Sequence, residues 1–192
     1  MNKECYLGLD VSTTHLGICL LNDKDEILHL GSINTPTDKY NTIWKKIEKI
    51  KEELALLHRV WIAKGYDVTY VGVEEWLKAF RPGGSSAEVI INLSRMNALV
   101  SYLVIQEFGL EPLYISVTTA RARLGIKIDK KDKTISNKEK VFNIVRTKIV
   151  WNWPTKVISR GKNKGNTVFE DECLDMVDAY IQAAALRKIC NT

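Results

Sequence analysis

Four carboxylates carry the chemistry this chain can be read to do. Asp10 closes the apolar run YLGLDV, Glu74 closes YVGVEE, and Asp175 and Asp178 stand three residues apart in ECLDMVDAY. An acid at the end of so apolar a strand is costly to bury unless it is paired or binds a metal. On a helix, Asp175 and Asp178 share one face about 5–6 Å apart at Cβ and repel each other unless a cation lies between them. Two strand-end acids and an i, i+3 pair form an oxygen-rich ligand set, which suits Mg2+, with Mn2+ able to substitute. Two such ions about 3.5–4 Å apart can activate water and stabilise the leaving oxygen of a phosphodiester.

Each acid also has a plainer reading. Asp10 can accept hydrogen bonds from the turn over Ser12 to Thr14, and Asp171, Glu172 and Asp175 can complement a helix dipole. Glu75 follows Glu74 directly, and strand alternation cannot choose between them without a register. Asp178 lies too deep in its helix for the dipole explanation.

The elements that must position these groups are read from patterning. Tyr6 to Val11 and Ile18 to Leu21 form strands joined by the polar turn Ser12 to Gly17, and Glu26 to Ile33 makes a third strand in an antiparallel meander. Residues 35–38 offer helix N-caps. Ile43, Ile47, Ile50, Leu54, Leu57 and Trp61 then recur in steps of four and three, one helical stripe ended by Gly65. Asp67 to Glu75 returns as a strand, followed by the mobile loop WLKAFRPGGSSAE. Ser85 or Ser86 caps a helix from Ala87 to Phe108, apolar enough around its circumference to meet both the sheet and a second subunit, or to be fully buried. Pro112 to Val117 is a fifth strand, and Thr118 or Thr119 caps a short helix bearing Arg121 and Arg123. A helix KEKVFNIVRTKIV and a last helix from Asp171 to Ile189 flank a flexible basic loop over residues 154–167. Strands alternating with helices after residue 67 imply parallel pairing there.

Length, at 192 residues, suits a single domain spanning residues 1–192. The four cysteines form no CxxC pair and read as reduced thiols. With no uninterrupted 18-residue apolar run and no leader pattern, neither a membrane span nor a signal peptide is expected, so the expected compartment is the cytoplasm. Net charge is +5, but residues 127–164 hold twelve lysines and arginines against three acids, leaving the rest of the chain at −4. A polyanion is the natural partner of such a region, through Lys127, Lys130, Lys131, Arg160, Lys162 and Lys164; a solvated lysine-rich loop is the plainer alternative.

The segment LGLDVSTTHLGICLL resembles the opening of RuvC-type Holliday junction resolvases of the RNase H-like superfamily, especially phage-encoded variants. VEEWL, VTTARARLGI, NKEKVFNIVRT and DMVDAYIQAA resemble later segments of that family in the same order, over nearly the whole chain. The resemblance implies an α/β, RNase H-like fold, with a five-stranded mixed sheet whose first three strands are antiparallel. It places the catalytic, metal-binding acids at Asp10, Glu74, Asp175 and Asp178 and phosphate-side cations at Arg121 and Lys138. Arginine in place of a family lysine at 121 changes the geometry of that contact. The family's junction-wedging aromatic falls near Leu77, which is not aromatic; Trp76 or Phe80 stands in for it, or Trp76 belongs to the core.

The implied activity is a Mg2+-dependent, structure-selective endonuclease that nicks four-way junctions or other branched DNA, as a homodimer in the cytoplasm, of a bacterial host if phage-encoded. Two rivals share the charge and acids: an RNase H-like nuclease acting on RNA or flaps, and a DNA-binding scaffold with a degenerate site. The DVSTTHLG turn also resembles a phosphate loop of actin-like sugar kinases and ATPases, a class that needs a second lobe and a second phosphate loop.

Overall fold

The computed structural model describes residues 3–76, 86–129 and 131–191. Leu77, Phe80, Ser85 and Lys130, and most of the loop read as mobile, lie outside the described residues. A five-stranded sheet runs in the order β3-β2-β1-β4-β5, built from β1 (Lys3–Val11), β2 (His15–Asn22), β3 (Ile27–Asn34), β4 (Tyr66–Glu74) and β5 (Leu113–Ile115). The first three strands are antiparallel, and β4 and β5 add in parallel to β1, as the sequence implied.

Alternation splits the sheet cleanly. Cys5, Leu7 and Leu9 of β1 and Val71 and Val73 of β4 bury against α1 (Ile43–Ala63) and α2 (Ala87–Phe108). Tyr6 faces the opposite layer with α3 (Val117–Arg123), α4 (Asn137–Arg146) and α5 (Glu172–Cys190). The α1 stripe behaves as its spacing demands: Ile47, Ile50, Leu54 and Trp61 are buried, while Ile43 and Leu57 pack at the margin. Its cap is Thr42, whose hydroxyl accepts from the Lys45 amide, rather than a residue in 35–38. Ser86 caps α2 and Gly109 closes it in the left-handed region.

Three readings need correction. Residues 154–167 are not simply a loop: β6 (Thr155–Val157) pairs with β7 (Thr167–Phe169) in an antiparallel hairpin. Three-residue strands are too short to show a period, and Gly161 and Gly165 supply the positive φ its turn requires. Ser116, not Thr118 or Thr119, caps α3, and the helix opened by Ser136 stops at Arg146. Finally, α2 is by length and composition long and apolar enough to cross a membrane, although polar residues interrupt its run. Met96, Val100, Leu103 and Val104 of this helix are buried in the core shared with the sheet and α1.

Helix α5 lies unusually close to the sheet, and two glycines permit it. A Cβ at Gly8 would stand 2.3 Å from both the Ala179 carbonyl oxygen and the Ala183 amide. At Gly17 it would meet the Asp175 carbonyl oxygen at 2.2 Å. Neither obstacle is a flexible side chain, so α5 must move to admit a methyl. Gly17→Ala is therefore expected to cost about 1–3 kcal/mol of stability in urea melts. An unchanged midpoint would mean that the helix does not rest on this strand.

Candidate metal centre

The sheet's face selects the acids. Gly8 of β1 and Gly72 of β4 both look toward α5, and two residues further along each strand stand Asp10 and Glu74. Leu9 pairs with Val73, so the two carboxylates end adjacent parallel strands side by side. This register turns Glu74 to the side facing α5, while Glu75 stands on the opposite parity and gives its amide to the Ile115 carbonyl. Asn97 of α2 steadies the strand end by donating to the Glu74 carbonyl at 2.9 Å.

Asp10, Glu74 and Asp178 each offer an oxygen in a set whose members all lie within 4.8 Å of one another. Asp10 and Asp178 are buried and Glu74 half-buried. Burial, followed by the charges of Glu74 and Asp178, pushes the Asp10 carboxyl well above the usual carboxylate range. Burial, then Asp178, pushes Glu74 up as well. The turn reading for Asp10 fails, because the Thr14 and His15 amides go to the Ser12 hydroxyl. Asp10 Oδ2 is buried without any hydrogen-bond partner. An orphaned buried carboxylate oxygen among two other desolvated acids fits a hard divalent cation, the ligand class for which an all-oxygen set is suited.

Asp175 is not a member of that three-acid set. One turn earlier on α5, its carboxylate meets Lys138 Nζ at 3.2 Å and His15 Nδ1 at 3.7 Å. Lys138 also reaches Asp178 at 3.6 Å, and Arg121 Nη2 donates to Asp178 at 3.3 Å. Both cations implied by the resemblance thus stand on the acids. The Lys138 side chain is exposed along its length but its ammonium is partly desolvated against the acids, which works against its charge; Asp10, Asp178 and Asp175 outweigh this and hold the ammonium above the ordinary lysine value. Lys138 owes its placement to a capping box, in which the Ser136 hydroxyl takes the Glu139 amide and Glu139 takes the Ser136 amide.

The other sequence candidates spread outward. Arg123, Lys127 and Lys131 are exposed, and Arg160, Lys162 and Lys164 crowd the exposed turn of the β6–β7 hairpin. Trp76 is partly exposed and meets Tyr114 edge to face at 4.9 Å, so it is neither core nor alone. Lys140, unremarked in the sequence, is buried, pairs with Asp132 and donates to the Asp129 and Asp132 carbonyls, fastening the segment that presents Lys131. His15 was also missed; its signal was its place in the turn after Asp10, which no periodicity marks.

No family model matches the chain, and no curated protein does. Among solved structures, RuvC of T. thermophilus in complex with a Holliday junction substrate aligns with a TM-score of 0.56 at 16% identity, covering 93% of this chain and 90% of that one. A ROK-family transcriptional regulator, a homologue of E. coli MLC, aligns with a TM-score of 0.43 at 15% identity, covering 62% of this chain and 29% of that one. The chain has the RuvC-like, RNase H-like α/β fold: a five-stranded mixed sheet flanked by helices.

Proposed function

We propose that the chain is a divalent-metal-dependent endonuclease that resolves four-way DNA junctions. The observation that carries this reading is the buried cluster of Asp10, Glu74 and Asp178 with Lys138 and Arg121 set against it, in a fold shared with a protein solved on a Holliday junction. Asp10, Glu74 and Asp178 would hold Mg2+, or Mn2+ in its place, with Asp175 completing the set from the next turn of α5. When bound, the ion supplies an activated water and charge stabilisation for the departing oxygen. Asp10 offers its unpartnered oxygen to the ion, while Lys138 and Arg121 offset charge on the scissile phosphate.

Two strands of a junction are cut symmetrically, so the reading includes a homodimer with two sites about a two-fold axis. In support, α2 leaves Ile91, Tyr102 and Ile105 exposed along one side of a helix whose opposite side, Met96, Val100, Leu103 and Val104, is in the core. The whole chain is taken as one nuclease domain working on DNA in the cytoplasm. Trp76, the exposed cations Arg123, Lys127 and Lys131, and Lys130 would contact the arms, mostly through phosphates, reading shape more than sequence.

The β6–β7 hairpin holds Lys156, Arg160, Lys162 and Lys164 and no acid. Phe142 packs edge to face on Phe169 at 4.9 Å and roots it beside α4. Replacing Arg160, Lys162 and Lys164 together with alanine is expected to flatten the plot of log affinity against log salt by roughly 2–3, near 0.9 for each lost phosphate contact. An unchanged slope would leave the hairpin without a part in binding. The reading as a whole is tested by gel-shift of junction, flap, duplex and RNA hairpin in EDTA: preference for the junction is expected, and preference for RNA or flap would favour the other RNase H-like nucleases.

A further inference from the structure

A cleft of about 320 Å3 lies against the elements that carry the acids, lined by the polar Thr13, Thr37, Asn41, Thr42, Lys46 and Asn92 and by the apolar Ile43, Val89 and Met96. Thr13 is three residues past Asp10, and Met96, also in the lining, precedes the Asn97 that holds the Glu74 carbonyl. Among the described residues no acidic side chain lines the cleft. Lys46 is 8% exposed, and its ammonium donates to the Thr13 carbonyl at 2.6 Å and the Thr37 hydroxyl at 3.1 Å. An ammonium has three donors, and two are placed. Among the described residues no carboxylate pairs with it at all. A buried cation without a counter-ion is costly, and burial accordingly pulls the Lys46 ammonium below the ordinary lysine value.

The N-terminus of α1 opens on the same cleft through Thr42 and Ile43. Its first turn carries no acid, so the positive end of a 21-residue helix adds to the lysine. The Thr37 and Thr42 hydroxyls accept from the Lys46 ammonium and the Lys45 amide and so keep their own hydrogens to donate, and Asn41 and Asn92 add side-chain amides to the same wall. We propose that this cleft is a phosphate subsite, with Lys46 as its charge, which grips a backbone phosphate of the nucleic-acid substrate away from the scissile bond. The proposal rests on the nuclease reading for its ligand. Holding that phosphate against the turn after Asp10 would tie substrate binding to the strand that carries the metal ligand.

The test is junction affinity as a function of salt, in EDTA, for wild type, Lys46→Gln, Lys46→Arg and Asn92→Asp. Lys46→Gln is expected to reduce the salt slope by roughly 0.7–0.9, one phosphate's worth, and Lys46→Arg to restore it. Asn92→Asp leaves the lysine's own bonds in place and puts a carboxylate in the lining, so it is expected to weaken binding even if Lys46→Gln loosens the turn. Wild-type slope and affinity in both Lys46→Gln and Asn92→Asp overturn the subsite. In parallel, inorganic phosphate is titrated into the wild type and followed by amide resonances of Thr13, Lys46 and Asn92. Shifts there with an unchanged DNA slope in the variants identify a free-anion site and overturn the nucleic-acid assignment. A wild type that ignores the junction refutes the nuclease reading, while the phosphate titration, which needs no DNA, still decides whether the cleft binds the anion.

Discussion

Asp10→Asn is expected to lower metal-dependent junction cleavage by about a thousandfold or more, at least about 4 kcal/mol of barrier, while leaving junction binding in EDTA close to wild type. The asparagine keeps the shape of the side chain but cannot supply the carboxylate ligand of Asp10, whose Oδ2 is buried and unpartnered beside Glu74 and Asp178. The same change has an opposite effect on folding. Removing one of three mutually repelling, desolvated carboxylates should raise metal-free stability by about 1–4 kcal/mol. The wild type should in turn gain about 2.7 kcal/mol at a hundredfold excess of Mg2+ over its dissociation constant, and the variant much less. Activity lost and metal-free stability gained in one substitution is the signature of a site built for a cation. A variant that is both inactive and less stable would point to a structural role for Asp10.

Lys138→Gln is expected to slow cleavage at saturating DNA by roughly a hundredfold, the scale on which one preorganised charge acts on a developing anion. Lys138 spans Asp175 at 3.2 Å and Asp178 at 3.6 Å, and in the proposed reaction it would stand where the substrate phosphate meets the acids. Its side chain is 52% exposed, and water screens its pairs. The effect on melting should accordingly be small, and the loss should appear in kcat rather than in folding. Lys138→Arg should recover part of the rate, since charge is kept and geometry is not. Full activity in Lys138→Gln, checked by single-turnover kinetics, would remove this residue from the reaction.

Local signals were legible in the sequence where one element sufficed to express them. The α1 stripe, the Ser86 cap and the Gly109 stop of α2 need only the 3.6-residue repeat and its end chemistry, and all stand where expected. Glu74 against Glu75 was not legible from strand pattern alone, because it depends on the parallel register of β4 with β1 and on which face α5 covers. Equal roles for Asp175 and Asp178 were expected from their shared helix face. In the structure a turn's difference sends Asp175 toward Lys138 and His15, and Asp178 toward Asp10 and Glu74. The hairpin escaped because strands as short as Thr155–Val157 carry no alternation. Lys46 escaped because its partners, Thr13 and Thr37, lie across the chain, and a lysine in a helix of lysines shows no outward sign of burial.

Gly8 and Gly17 carry a wider lesson about such sites. Their missing side chains let α5 settle onto β1 and β2, and that contact brings Asp178 to acids more than a hundred residues away. Position here is set by what the sequence leaves out as much as by the carboxylates it supplies.

The most direct measurement is incubation of the wild-type protein with a synthetic four-way junction labelled on each strand in turn, in Mg2+ and in EDTA. Paired nicks in two opposed strands, present with Mg2+ or Mn2+ and absent in EDTA, are the predicted result. An intact junction after incubation with either ion, by protein that binds it, would contradict the account.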